Sequence, residues 1–188
     1  SHKRSDCQDL VARVHDRLMD AGYRATTRLI EAGHRAIAYL YYGRQLHYSV
    51  AHRQAGYEKA MHDAGLEPCV HTQEISPTWE IGQRADHIRQ ILSASNRPTA
   101  VVTNGPNTTL TTLYSACQLQ IRVPDDLALM AIADLPIREL GISVNTMVLD
   151  HESFASQSVQ MMEQRIADRK SDIETVTVAF QEVTGQTI

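Results

Sequence analysis

Stretches with helical hydrophobic periodicity alternate with short apolar runs along the chain. Apolar residues recur about every 3.6 residues in five stretches, residues 18–32, 50–64, 76–93, 108–119 and 151–168. Strand-forming residues dominate six shorter stretches, residues 36–41, 69–71, 99–103, 127–132, 144–149 and 174–183. This order predicts an α/β fold with a doubly wound, mostly parallel, Rossmann-like sheet and right-handed crossovers.

The predicted strands place the candidate binding loops at one edge of the sheet. Residues 127–132 form a nearly continuous apolar run, which is typical of a strand covered on both faces. Ligands of such sheets bind beyond the carboxyl ends of the strands. The loops to consider are therefore residues 42–49, 74–79, 104–107 and 133–138.

The composition is that of an ordinary soluble globular domain. The chain has 188 residues, a formal net charge of −4, 43% hydrophobic residues and 21% charged residues. The acidic balance argues against nucleic-acid binding by this segment itself, because such binding depends on clustered Lys and Arg. No apolar run is long enough to cross a membrane, so no membrane partner is expected.

Cysteine usage and the first residues bear on the cellular compartment. Cys7, Cys69 and Cys117 are an odd number and lack Cys-x-x-Cys spacing, which favours free thiols in a reducing compartment. Residues 1–6 contain neither Met nor the apolar core of a signal peptide. We therefore expect a trimmed N-terminal end and a cytoplasmic protein.

Sequence signatures of catalytic and metal sites are missing. The chain has no Gly-x-Ser-x-Gly elbow, no phosphate-binding Gly-x-x-x-x-Gly-Lys and no Gly-x-Gly-x-x-Gly. His47 and His52 are five residues apart, and Cys69 and His71 are two apart, and neither spacing matches a strong zinc signature. We predict no catalytic residue, no metal site and no cofactor.

Three kinds of side chain fit a small-molecule pocket. Arg53 stands near the start of the second helix, where its guanidinium can reach a carboxylate, a carbonyl or a pair of hydroxyls; the alternative is a surface Arg paired with Glu58. Trp79 can stack on a sugar or base ring, or pack beneath its loop. Asn104 and Asn107 can bond a ligand, or serve the turn between strand and helix.

Four motifs then indicate a family. Residues 29–40 (LIEAGHRAIAYL), 53–57 (RQAGY), 97–102 (RPTAVV) and 123–129 (VPDDLAL) resemble, in order and spacing, signature segments of LacI-type transcriptional regulators. The resemblance runs from about Val14 to the C terminus. It implies two Rossmann-like subdomains, as in periplasmic sugar-binding proteins, preceded by a helix-turn-helix DNA-binding head.

The resemblance also implies how this segment is divided. Residues 1–16 would be a trimmed N-terminal segment and crossover, and residues 17–188 a C-terminal effector-binding subdomain. Within the latter, the helix over residues 150–168 would belong to the N-terminal subdomain, of which most has no counterpart here. Because that helix carries an apolar stripe, we expect it to pack on a second copy of the chain or to swap.

Family ligand positions carry over one at a time. Arg53 matches an effector-binding Arg, and Trp79 matches an aromatic position that stacks on the effector in the purine-repressor branch. His47 and Ser49 fall where that branch has polar contacts. The chain departs from the family at Pro106 and Ala133, each of which replaces an Asp. Asp134 follows Ala133, but strand alternation points its side chain to the other face.

The resemblance thus implies the effector-binding and dimerising region of a LacI-type regulator, a small-molecule-controlled repressor and not an enzyme. The candidate effector-binding residues are Arg53, Trp79, His47, Ser49, Asn104 and Asp134. The expected partners are a sugar, nucleobase or related metabolite, a second copy of the chain, and DNA through a head absent from these residues. The alternatives are a solute-binding protein of the same fold and, third, a small α/β enzyme. The sequence does not name the effector.

Overall fold

A computed structural model describes residues 2–43, 47–74, 81–168 and 178–188. The helices are α1 (His2–Glu31), α2 (Tyr48–Asp63), α3 (Ile81–Ser93), α4 (Pro106–Gln118) and α5 (His151–Ala167). The strands are β1 (Ile37–Gly43), β2 (Cys69–Glu74), β3 (Ala100–Asn104), β4 (Ala128–Ala133), β5 (Asn145–Leu149) and β6 (Phe180–Val183). A short 3₁₀ turn (Glu139–Gly141) precedes β5.

The strands form a single six-stranded sheet in the order β2-β1-β3-β4-β5-β6. The first five are parallel to their neighbours, and β6 runs antiparallel to β5. This confirms the predicted doubly wound, mostly parallel α/β fold. Because the parallel strands share one direction, β1, β3, β4 and β5 all end at the same edge of the sheet.

The core has two layers, one on each face of the sheet. On β1, Ile37 and Tyr39 join the cluster beneath α1 and α2, whereas Ala38 and Leu40 join the cluster beneath α3 and α4. Every residue of β4 is buried. The continuous apolar run that predicted this strand is therefore explained by helices on both faces.

The starts of α1 and α4 differ from the sequence prediction, and the start of α3 is untested. Helix α1 begins at His2 rather than Leu18, so residues 2–16 are helical. Helix α4 begins at Pro106 rather than Thr108, because Pro fits the first turn, where no N–H partner is needed. The predicted start of α3 at Ser76 and Pro77 lies outside the described residues.

The last residues of the chain form hydrogen bonds with strand β5 and with Leu129 of β4. Thr187 is fully buried, and its hydroxyl donates to the main-chain oxygen of Leu129 at 2.7 Å. The main-chain N–H of Asn145 donates to that hydroxyl at 3.0 Å, and the Thr187 N–H donates to the Asn145 side chain at 2.9 Å. These contacts tie the C-terminal tail to β4 and β5.

Helix α5 packs differently from the other helices. None of its residues, all of which the structure describes, is buried. Large apolar side chains at helical spacing stay exposed, namely Phe154, Val159, Met162 and Ile166. The apolar stripe predicted from the sequence therefore exists and is uncovered in a single chain. Among the described residues, no helix combines the length and apolar character needed to cross a bilayer.

Candidate functional site

The candidate site lies at the edge where the parallel strands end. Helix α2 starts at this edge, and Arg53 falls in its second turn. Asn104 is the last residue of β3, and Asp134 directly follows β4. The fold thus brings together three of the side chains singled out from the sequence.

Arg53 is a largely buried cation. Its Nη1 donates to the Asn104 side-chain oxygen at 2.9 Å. Its Nε is buried and has no hydrogen-bond partner among the described residues. No carboxylate of the described residues lies within the 4.0 Å of an ion pair. Burial lowers the pKa of Arg53, and the nearby Tyr39 and Asp134 act in the opposite direction. The surface alternative, an exposed Arg paired with Glu58, does not describe this side chain.

Asn104 connects Arg53 to the core. It is 2% exposed, and its amide nitrogen donates to the Tyr39 hydroxyl at 2.9 Å. Tyr39 is itself fully buried, which raises the pKa of its hydroxyl. The oxygen and the nitrogen of the Asn104 side-chain amide both form hydrogen bonds within the protein. The role of Asn104 here is therefore to hold Arg53 in place.

The acidic side chain near Arg53 is Asp134. Along β4, Ile132 belongs to the layer under α1 and α2, whereas Ala133 packs in the layer under α3 and α4. Strand alternation therefore directs Asp134 towards the side of α2, and its charge acts on Arg53. The resemblance implies an effector contact at residue 133, which stays a prediction; Arg53 lies on the side of the sheet towards which Asp134 points.

His47 and Ser49 cap helix α2. The Nδ1 of His47 accepts from the Ser49 N–H at 3.4 Å and lies 3.0 Å from its hydroxyl. The His47 ring also lies 4.1 Å from that of Tyr48, centroid to centroid. His47 is exposed at the mouth of the site. Its visible contacts fix the start of α2, so an effector contact stays a prediction.

The other two sequence candidates have different outcomes. Trp79 lies outside the described residues, so its proposed stacking role stays a prediction. Asn107 lies in the first turn of α4, and its main-chain oxygen accepts from Thr111 at 2.7 Å. The turn that contains Asn104 is instead made by Gly105, whose φ of 90° suits glycine.

Sequence reasoning missed Phe180. The guanidinium carbon of Arg53 lies 5.4 Å from the centroid of the Phe180 ring, within the range of a cation–π contact. Phe180 comes from the last strand, far from α2 in sequence, and fell only within the strand-forming stretch 174–183. No local pattern signals a contact of this kind.

The histidine cluster on β2 is a different feature. Cys69 Sγ lies 3.4 Å from His71 Nε2, and the rings of His71 and His87 are 6.4 Å apart. Burial and the charge of His87 lower the pKa of His71, and burial raises the pKa of Cys69. Within the described ranges, no group of three His, Cys, Asp or Glu side chains is suited to a metal ion.

The side chains at the sheet edge offer complementary groups for binding a ligand. Arg53 offers N–H donors and Asp134 offers a carboxylate acceptor. A donor and an acceptor on the same side of the sheet match a hydroxylated ligand.

Comparisons with known proteins agree with this architecture. The family described as periplasmic binding protein-like domain matches residues 26–188. A LacI-family sugar-binding transcriptional regulator from Escherichia coli, solved with phosphate, superposes with a TM-score of 0.72 at 15% identity, covering 92% of this chain and 61% of that one. The resemblance drawn from the four motifs is thereby confirmed for the domain family and the fold. No curated protein matches the chain in sequence.

Two further structures show the same likeness. A putative LacI-family transcriptional regulator from Sanguibacter keddieii has 28% identity and a TM-score of 0.70, covering 91% of this chain and 66% of that one. The transcriptional regulator CelR, in complex with cellobiose, has 20% identity and a TM-score of 0.69, covering 91% and 52%. The chain thus spans between 52% and 66% of the length of these structures.

Proposed function

Because the chain belongs to the family of periplasmic binding protein-like domains, we propose that it is the effector-binding and dimerising region of a LacI-type transcriptional regulator. The regulator is a cytoplasmic, small-molecule-controlled repressor. Its DNA contacts are made by a helix-turn-helix head outside these residues, which agrees with the net charge of −4 of this segment. The protein binds its effector without catalysing a reaction.

The observation that carries the proposal is the Arg53–Asn104 pair at the carboxyl edge of the sheet. A buried guanidinium is costly unless its donors are used, and within residues 2–43, 47–74, 81–168 and 178–188 only one of its donors is used, in the bond to Asn104. Asp134 supplies an acceptor on the same side. The expected effector is a sugar, nucleobase or related metabolite that carries both hydroxyl donors and oxygen acceptors.

A contact at Asp134 suggests how ligand binding is transmitted. His151, the first residue of α5, donates from Nε2 to the Asp134 main-chain oxygen at 2.5 Å. We assign α5 to the N-terminal one of the two Rossmann-like subdomains. This hydrogen bond therefore joins the effector site to the subdomain that changes its position. A ligand that engages Asp134 favours one arrangement of the two subdomains, and that bias reaches the DNA-binding head.

An apolar groove beside α4 supports the dimerising role. It is lined by Leu113, Tyr114, Cys117, Ile121, Val123 and Ile142. Tyr114 is 52% exposed, and none of the described residues that line the groove is charged. A second copy of the chain would cover this surface, because the burial of apolar surface away from water stabilises an interface.

A ligand screen tests the binding role. The thermal midpoint of the chain is measured with sugars, nucleobases and amino acids, since a ligand that binds the folded state raises it. We expect one class to raise the midpoint in the wild type but not in Arg53→Ala. The matched control is Arg35→Ala. Arg35 is exposed and lies before β1, at the opposite edge of the sheet from Arg53. In the described part of the chain it donates only to nearby main-chain oxygens. A shift that survives in Arg53→Ala would contradict the assigned site.

A further inference from the structure

The last strand contributes a ring to the surroundings of Arg53. Phe180 is 6% exposed, and its ring centroid lies 5.4 Å from the Arg53 guanidinium carbon. In the described part of the chain, Arg53 has one hydrogen-bond partner, Asn104, and no ion-pair partner. The aromatic face is therefore a principal contact of this buried cation.

Contacts from strand β5 and from helix α1 fix the position of Phe180 on β6. Phe180 pairs with Leu149 in the β5–β6 ladder. Arg24 of α1 donates from Nη1 to the Phe180 main-chain oxygen at 2.8 Å, and Arg28 pairs with Glu182 at 3.3 Å. Both strand and helix contacts thus fix the position of a ring that neither the turn chemistry nor the family motifs pointed to.

We propose that Phe180 is a positioning residue for Arg53: its ring covers one face of the guanidinium and fixes the plane in which Arg53 presents its N–H donors. Asn104 holds one corner of the planar group through Nη1. One corner and one face together define the orientation of a rigid plane. An aliphatic side chain such as leucine would fill the space of the ring, but it lacks the electron-rich face that attracts the cation.

The unpartnered Nε of Arg53 gives a direct way to observe the ring. This N–H is buried and makes no hydrogen bond to the part of the chain that the structure describes, so its exchange with water depends on how well neighbouring groups cover it. Phe180 also imposes a ring-current shift on guanidinium protons that lie over its face. Both signals can be read by NMR of the 188-residue chain without any ligand.

The test compares Phe180→Leu with Phe180→Tyr, which keeps the ring. We expect Phe180→Leu to remove the ring-current shift and to accelerate Arg53 Nε–H exchange about tenfold, the change expected for a cation–π contact of intermediate strength. Phe180→Tyr restores both signals. The control is Phe154→Leu, which alters the other phenylalanine of the chain, an exposed residue of α5.

Unchanged shift and exchange in Phe180→Leu would overturn the proposal, as would equal changes in Phe154→Leu. If Phe180→Leu does not fold, Arg24→Gln provides the second variant, because it releases the Phe180 main-chain oxygen without altering the ring. Faster Nε–H exchange in Arg24→Gln then supports the proposal, and wild-type exchange contradicts it.

The consequence for ligand binding rests on the proposed function and is tested separately. Cellobiose and inorganic phosphate, a neutral polyol and an oxyanion, are titrated while the Arg53 side-chain resonances are followed. We expect the better probe to bind Phe180→Leu about tenfold more weakly than wild type. Equal affinity would overturn the positioning role and leave the proposed function intact. No response of wild-type Arg53 to either probe would contradict ligand binding at Arg53, while the ring contact would still stand on the exchange data.

Discussion

Gly22 of α1 lies directly against the main-chain carbonyl of Arg53 in α2. A Cβ at Gly22 would overlap that carbonyl oxygen, and a Cβ at Gly56 would overlap the main-chain oxygen of Met19. The two helices therefore cross backbone to backbone, through reciprocal glycines. This close approach holds the main chain of α2 at Arg53 directly against α1.

Substitution of Gly22 tests this close packing. We expect Gly22→Ala to lower the free energy of unfolding by about 1–3 kcal/mol, because the helices must separate to admit the methyl group. The measurement is urea denaturation. Gly82→Ala in α3 is the control: a Cβ there meets no atom of the described residues within 4 Å, so it should be neutral or stabilise by about 0.5–1 kcal/mol. Equal effects of the two substitutions would contradict the account.

The C-terminal end of α4 offers a stabilising substitution. Gln120 has a φ of 56°, in the left-handed region that favours glycine. We expect Gln120→Gly to raise the free energy of unfolding by about 1 kcal/mol, measured by denaturant titration. Gln120→Ala keeps the Cβ and so should give no such gain. Similar gains in both variants would show that the backbone conformation is not the cause.

The buried hydroxyl of Thr187 should be important for stability. Thr187→Val keeps the shape of the side chain but leaves the Asn145 N–H and the Leu129 oxygen without their partner. Each unsatisfied buried group costs about 1–3 kcal/mol, so a marked loss of the free energy of unfolding is expected. Thr187→Ser retains the hydroxyl and serves as the control. A valine variant as stable as wild type would mean that water replaces these bonds.

Strand β4 and residues Arg53, Asn104 and Asp134 show what could be predicted from the sequence. The strand was found because an apolar run that long needs cover on both faces. Asn104 was placed at the candidate edge because strand ends converge in a parallel sheet, whereas Asp134 was named only through the family resemblance, which also strengthened the assignment of Arg53. The strand and the position of Asn104 need only local pattern and one topological rule; the effector role of the three residues stays a prediction.

Phe180 and Gly22 show where the sequence was insufficient. Each acts through a contact with α2 that is distant along the chain, and neither breaks a local rule. Ala133 and Asp134 show a subtler case: alternation correctly separates the two faces, but the sequence alone does not say which face carries Arg53. Helix packing decides that.

A turn carboxylate gives the stability a defined pH dependence. Arg122 donates to both carboxylate oxygens of Asp126, at 2.7 Å from Nε and 2.9 Å from Nη2, and these bonds hold the pKa of Asp126 at about 2, below its ordinary 3.8. The charged form is thus favoured by folding. The stabilisation is complete above about pH 4 and is lost as the pH falls through 2.

Asp126→Asn removes this stabilisation. At pH 7 the variant should unfold at lower urea than wild type, and the difference should shrink as the pH is lowered from 4 towards 2. Asp125→Asn is the control, because the neighbouring carboxylate lies 3.4 Å from Arg122 and the pair is exposed on both sides. A difference between wild type and Asp126→Asn that is independent of pH would contradict the assignment.

The exposed stripe of α5 makes the last prediction, on the association of the 188-residue chain. Met162 is 64% exposed and Ile166 is 78% exposed, and we propose that a second copy covers them. In this proposal the wild-type chain associates through both the α5 stripe and the α4 groove. Met162→Glu should therefore remove the α5 contact and reduce the mass measured by sedimentation to that of a dimer held by the α4 groove. The double variant that carries both Met162→Glu and Tyr114→Glu should give monomers. Gln160→Glu adds the same charge elsewhere on α5 and should leave the mass unchanged. A wild-type chain that stays strictly monomeric at high concentration would rule out association through either surface.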